Sequence, residues 1–199
     1  MLGAISISRP FLNRSYRPDL EYLTDQYTNI LLTNHLRIMD TQFVFVYGTL
    51  MSSYPEHALY CPKPISVAKA FMQGELFEVQ GKYPILKIPE EDIALHATGN
   101  PVEDWLEANK RGRYSSIRDR DSENWIEGEL LELPLQENSL AKMDEWEGFK
   151  PGGDSVYRRV VAEAITEEET VMLSWVYVTL GGTSAFQRLN TSTWSRHDS

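Results

Sequence analysis

Five consecutive aromatic and β-branched residues, Phe43-Val44-Phe45-Val46-Tyr47, run directly into Gly48, and this junction limits the folds open to the chain more than any other feature. The run has no polar face, so it reads as a strand covered on both sides, ending where the glycine lets the chain turn out of the sheet. Further strands are expected over 71–79, 83–88, 125–133, 156–165 and 171–178, each bounded by glycine, proline or acidic clusters. The last two flank Thr166-Glu167-Glu168-Glu169, a short polar connection of the hairpin kind. One helix is expected among them, over about 136–147, closed by Gly148. The expectation is an α+β domain in which β structure dominates.

A chain of 199 residues, 42% hydrophobic and 24% charged, has the size and balance of one globular domain with extensions. Its net charge of -10 would repel a phosphate backbone, and no basic stripe offsets it, so nucleic acid is not an expected partner. Cys61 stands alone, which removes an intrachain disulfide and a cysteine-based zinc site and fits a reducing, cytoplasmic compartment. His35, His57, His96 and His197 lack ligand spacing, so no metal site and no cofactor are expected. No apolar run approaches the roughly 18 residues of a spanning helix. A soluble chain with no membrane partner is expected, with a monomer as the default state.

Residues 1–40 read as an N-terminal extension, with helical spacing from about 19. Its first 18 residues hold Arg9, Arg14 and Arg17 and no acidic residue, a composition shared by organelle transit peptides, the alternative being a frayed terminus. The domain itself is expected over 41–180, and the Ser/Thr-rich residues 181–199 as a flexible tail. Within the domain, 89–124 loses its period and carries nine acidic residues against five basic ones. That stretch reads as a surface insertion, either a substrate lid or a mobile excursion.

The sharpest single residue is Glu147. On the predicted helix Leu140, Met143 and Glu147 fall on one stripe, so a carboxylate shares the face that must turn to the core. It also lies in the last turn beside Asp144 and Glu145, where the helix dipole disfavours negative charge. Both effects raise its pKa and suit it to general acid/base work near neutral pH. The alternative is a helix that frays before Glu147 and leaves it in water. The Tyr47-Gly48-Thr49-Leu50 turn is the complementary element. A flexible glycine there lets successive N–H groups converge on an anion, although a plain strand-to-loop turn reads the same way.

In order along the chain stand Tyr47-Gly48-Thr49-Leu50, Tyr83-Pro84, Gly128-Glu129-Leu130, Met143-Asp144-Glu145-Trp146-Glu147-Gly148, Tyr157-Arg158-Arg159 and Trp175-Val176-Tyr177. This series resembles the gamma-glutamylcyclotransferase-like family. Pro55-Glu56-His57 after the glycine turn is similar to its compact branch of gamma-glutamylamine cyclotransferases, which often has Pro-Asn-His there. The resemblance covers about 43–178; Met143 stands where the family usually has Leu.

The resemblance implies a small mixed β-barrel with one or two flanking helices and a cavity at one end. It implies a reaction in which the α-amine of a gamma-glutamyl compound attacks its own gamma-carbonyl, releasing 5-oxoproline and an amine or amino acid. Glu147 would be the acid/base. Gly48, Thr49 and Leu50 would present N–H groups to substrate, with Tyr47 and Tyr157 lining the pocket as packing or as hydroxyl donors. The competing readings are a non-catalytic small-molecule binding protein on the same barrel, and an interaction module acting through the acidic stretch.

Overall fold

The strand-forming runs build a sheet that closes on itself. The computed structural model describes residues 40–112 and 124–196. Its strands are β1 (Thr41–Val46), β2 (Ser66–Gln73), β3 (Glu75–Val79), β4 (Tyr83–Lys87), β5 (Ile93–His96), β6 (Trp125–Pro134), β7 (Arg158–Thr166), β8 (Val171–Val178) and β9 (Gln187–Arg188). Between them stand the helices α1 (Pro55–Tyr60), α2 (Pro101–Arg111) and α3 (Ala141–Trp146). Strands run in the order β2-β6-β1-β8-β7, and β7 returns to β2 where Ala70 faces Thr166 and Phe71 faces Ile165. This is a closed five-stranded barrel, mixed because β1 and β8 are parallel while the other pairs are antiparallel. The α+β barrel that the family resemblance implies is the fold observed.

Side chains alternate along each strand, so the closed sheet has two apolar faces to bury. One parity, including Phe45, Met72, Leu130, Val160 and Val176, forms a core to which all five barrel strands contribute. The other, including Val44, Leu131, Val161 and Trp175, packs with Trp105 and Ala108 of α2 and with Leu140 and Met143 at α3. Gly128 has no room for a side chain: a Cβ there would lie 2.4 Å from the Val46 carbonyl oxygen and 2.7 Å from the Phe45 ring.

Several expectations need correction. The run 71–79 is two strands in different sheets, broken at Gly74, where a Cβ would lie 2.7 Å from the Lys87 carbonyl oxygen. The helix expected over 136–147 is shorter, turns at 137–140 preceding α3. The described part of 89–124 is no surface excursion. There β5 pairs with β7, and α2 buries Trp105, whose Nε1 donates to the Thr41 carbonyl at 3.0 Å. Asn100 caps α2 by accepting from the Glu103 N–H at 3.2 Å, Pro101 opens it and Gly112 at φ 83° ends it.

The described tail is not loose either. Its β9 pairs with β3, and Trp194 is buried, donating to Glu78 at 2.9 Å and packing 5.6 Å from the Tyr54 ring. A large apolar ring is hidden from water there, which holds an otherwise polar segment. The expected N-terminal extension with its helix from 19, its transit-peptide reading, and residues 113–123 and 197–199 lie outside the described residues. Among the described residues no helix is long and apolar enough to cross a membrane.

Candidate active site

A cavity of about 570 Å³ lies between the end of β1, the turn at 48–50, the start of β4, Tyr157 and the C-terminus of α3. Each sequence-predicted site residue lines it: Tyr47, Gly48, Thr49, Leu50, Glu147 and Tyr157.

The turn is built for close approach. Gly48 is absent from the glycines with positive φ, so conformational freedom does not explain it, contrary to the reason expected from the sequence. A Cβ there would lie 2.6 Å from Pro84 Cγ, and only glycine lets the turn pass the Tyr83-Pro84 segment. Met51 N–H closes the turn on the Gly48 carbonyl at 3.0 Å, and no described residue accepts from the N–H groups of Gly48, Thr49 or Leu50. The chain just beyond is clamped by Glu129, whose carboxylate accepts from the Ser52 N–H and hydroxyl at 2.6 Å each. His57 Nδ1 lies 2.8 Å from the Leu50 carbonyl oxygen, a scaffold contact.

Tyr47 and Tyr157 face the cavity, but their hydroxyls are spoken for. Tyr47 donates to the Tyr177 carbonyl at 2.7 Å and accepts from the Leu86 N–H at 3.2 Å. Tyr157 donates to the Pro84 carbonyl at 2.5 Å. Tyr47 therefore ties β8 to β4 beside the cavity, and Tyr157 braces the start of β4. Burial above all pushes both phenols well above their ordinary range, helped at Tyr47 by Tyr157 and then Glu147 and at Tyr157 by Glu147 and then Tyr83, so they stay protonated donors.

Glu147 caps the C-terminus of α3, after which Gly148 at φ 62° reverses the chain and Phe149 N–H returns to the Asp144 carbonyl at 2.9 Å. Leu140 and Met143 are buried as the stripe predicts, and Glu147 opens from that face into the cavity. It retains some accessible surface, as a group lining an open cavity must, yet protein crowds its carboxyl enough for desolvation to dominate. No hydrogen bond from a described residue relieves that burial. Its pKa is pushed up to about 8, by desolvation first and the Asp144 charge second.

Two neighbours hold α3 in place. Trp146 Nε1 donates to Thr49 Oγ1 at 3.1 Å, tying the helix end to the glycine turn, and its ring stacks 4.3 Å from Tyr60. Asp144 accepts from Arg159 at 2.5 Å and from the Tyr177 hydroxyl at 2.7 Å. Arg159 is itself buried between the rings of Phe149 and Trp175, at 5.0 and 4.9 Å. Trp146, Asp144 and Arg159 all stand in the motif series quoted above, but that series alone does not say what they touch. Arg196 also lines the cavity, and no sequence pattern pointed to it.

Cys61 is half-buried, 3.6 Å from the Leu50 carbonyl oxygen, and burial pushes its thiol up to about 12, so it stays protonated. Among the described residues no three His, Cys, Asp or Glu side chains are grouped as ligands for a metal ion.

The sequence profile described as "Gamma-glutamyl cyclotransferase, AIG2-like" matches residues 44–103 and 97–196, more than half of the chain. The chain belongs to this family. No curated protein is a significant match. Among solved structures, YkqA from Bacillus subtilis superposes with a TM-score of 0.46 at 16% identity, over 77% of this chain and 39% of that one. An AIG2-like protein from Mus musculus gives 0.43 at 16% identity, over 70% of this chain and 78% of that one. A gamma-glutamyl cyclotransferase specific to glutathione, from yeast, gives 0.39 at 15% identity, over 70% and 69%. This chain spans well under half the length of the Bacillus protein. None of these likenesses bears on the site.

Proposed function

We propose that the chain is a gamma-glutamylcyclotransferase that converts a gamma-glutamyl compound to 5-oxoproline and releases an amine or amino acid. The observation that carries this reading is the Glu147 carboxyl, which receives no hydrogen bond from a described residue, in a cavity whose wall also holds the N–H groups of Gly48, Thr49 and Leu50, for which no described residue is an acceptor. Family membership supports the same reaction class.

Ring closure within one molecule asks the protein mainly to hold a folded conformer, so orientation supplies much of the acceleration. Over the cycle the attacking ammonium loses two of its three protons and the departing nitrogen gains two. Glu147 can carry them in turn. It takes a proton from the ammonium, the amine attacks the gamma-carbonyl, and the protonated carboxyl then delivers to the nitrogen as its bond to carbon breaks. A pKa near 8 keeps the carboxyl's proton affinity close to that of its partners, which suits both directions of transfer. N–H groups of the 48–50 turn would receive the oxyanion or the substrate carboxylate.

The test is 5-oxoproline release from a panel of gamma-glutamyl amines, gamma-glutamyl amino acids and glutathione, run with EDTA and without added metal. Release from at least one class is expected. Retained binding of these compounds with no release would instead favour the non-catalytic binding protein.

A further inference from the structure

The C-terminal segment places Arg196 on the cavity wall. Arg196 Nη2 pairs with the Glu56 carboxylate of α1 at 2.6 Å, and the guanidinium lies 5.5 Å from the Tyr54 ring centroid. Its backbone N–H donates to the Tyr54 hydroxyl at 3.3 Å, two residues beyond the buried anchor Trp194. The guanidinium is thus held in position, while its side chain stays 37% exposed. Its other N–H groups have no acceptor among the described residues. Lys82 is the other basic residue on the cavity wall.

Depth separates the two kinds of anion site. Thr49 and Leu50 are 8% and 3% exposed, so their N–H groups serve the inner part of the cavity with Glu147. Arg196 and Lys82 are exposed and stand at the rim. On the cyclotransferase reading, the glutamyl group must cyclise beside Glu147, so whatever it releases extends toward that rim.

Resting on that reading, we propose that Arg196 selects substrates whose leaving group carries a carboxylate. The pair with Glu56 is neutral overall, so selection comes from directed N–H donors, which match a carboxylate, rather than from long-range attraction. A plain alkylamine leaving group offers this fork nothing.

The probes are gamma-glutamyl-alanine and gamma-glutamyl-ethylamide, which differ only in the leaving group's carboxylate. Their affinities are measured calorimetrically on the full chain carrying Glu147→Gln, which removes turnover, alone and with Arg196→Gln or Arg196→Lys. The alanine compound should bind about tenfold more tightly in the parent, the scale of one charge-assisted hydrogen bond. Arg196→Gln should erase that preference while leaving the ethylamide affinity unchanged, and Arg196→Lys should keep part of it. Equal affinities in the parent, or a preference that survives Arg196→Gln, would overturn the proposal. So would equal weakening of both probes, since that would put Arg196 on the glutamyl group they share. Binding of both without preference removes this inference alone, whereas binding of neither removes the cyclotransferase reading as well.

Discussion

Two carboxylates three residues apart at the end of α3 have opposite surroundings. Asp144 accepts from the buried Arg159 guanidinium and from the Tyr177 hydroxyl. Glu147 opens into the cavity and receives no hydrogen bond from a described residue. Burial raises both pKa values, but at Asp144 the two donors pull the other way, and at Glu147 nothing does. A buried carboxylate with its donors supplied is a structural part, whereas one left bare is destabilising in the empty protein and persists where a ligand supplies what is missing. The Asp144 charge also adds to the rise at Glu147, so the structural member tunes its neighbour.

The comparison can be broken at either carboxylate. Glu147→Gln keeps the shape and removes proton exchange, so steady-state release of 5-oxoproline should fall by about 10²–10⁴-fold. Glu145→Gln, at an exposed position on the same helix, should leave turnover nearly unchanged, and equal activity in the two variants would remove Glu147 from the chemistry.

Asp144→Asn should act on stability instead. It strands the buried Arg159 cation and should cost about 3 kcal/mol in chemical denaturation. Because the Asp144 charge contributes to the high pKa of Glu147, the pH at which turnover rises should move down in this variant. Unchanged stability would mean that Arg159 is satisfied some other way.

A smaller effect sharpens the contrast. With its folded pKa raised from 4.5 to about 8, Glu147 ionises more readily unfolded than folded. Its penalty is therefore absent below the unfolded value, grows as pH rises between the two, and is complete above the folded one. Glu147→Gln should therefore stabilise the protein increasingly as pH rises through that window and by almost nothing below it. A gain independent of pH would point to repacking rather than charge.

Much of this arrangement was legible in the residues. The apolar run ending at Gly48, the paired strands β7 and β8, and the stripe of Leu140, Met143 and Glu147 depend on local periodicity, which a sequence displays directly. The reason for Gly48 was not legible, because the contact that requires it comes from Pro84, on a strand distant in sequence. Helix α2 had a full set of signals in Asn100, Pro101, Trp105, Ala108 and Gly112, but its dense charges masked the buried stripe. The C-terminal segment had no period at all. It is fixed by one tryptophan and a two-residue strand, and tertiary contacts of that kind leave no repeating pattern to read.

Glu147 is desolvated, bare of hydrogen bonds from described residues and poised near neutrality, and a carboxyl-¹³C NMR titration of the full chain tests this most directly. With the Glu147 resonance assigned through its loss in Glu147→Gln, the predicted midpoint is about 8. A midpoint near the ordinary 4.5 would mean that the carboxyl is solvated or already paired, and would contradict the account.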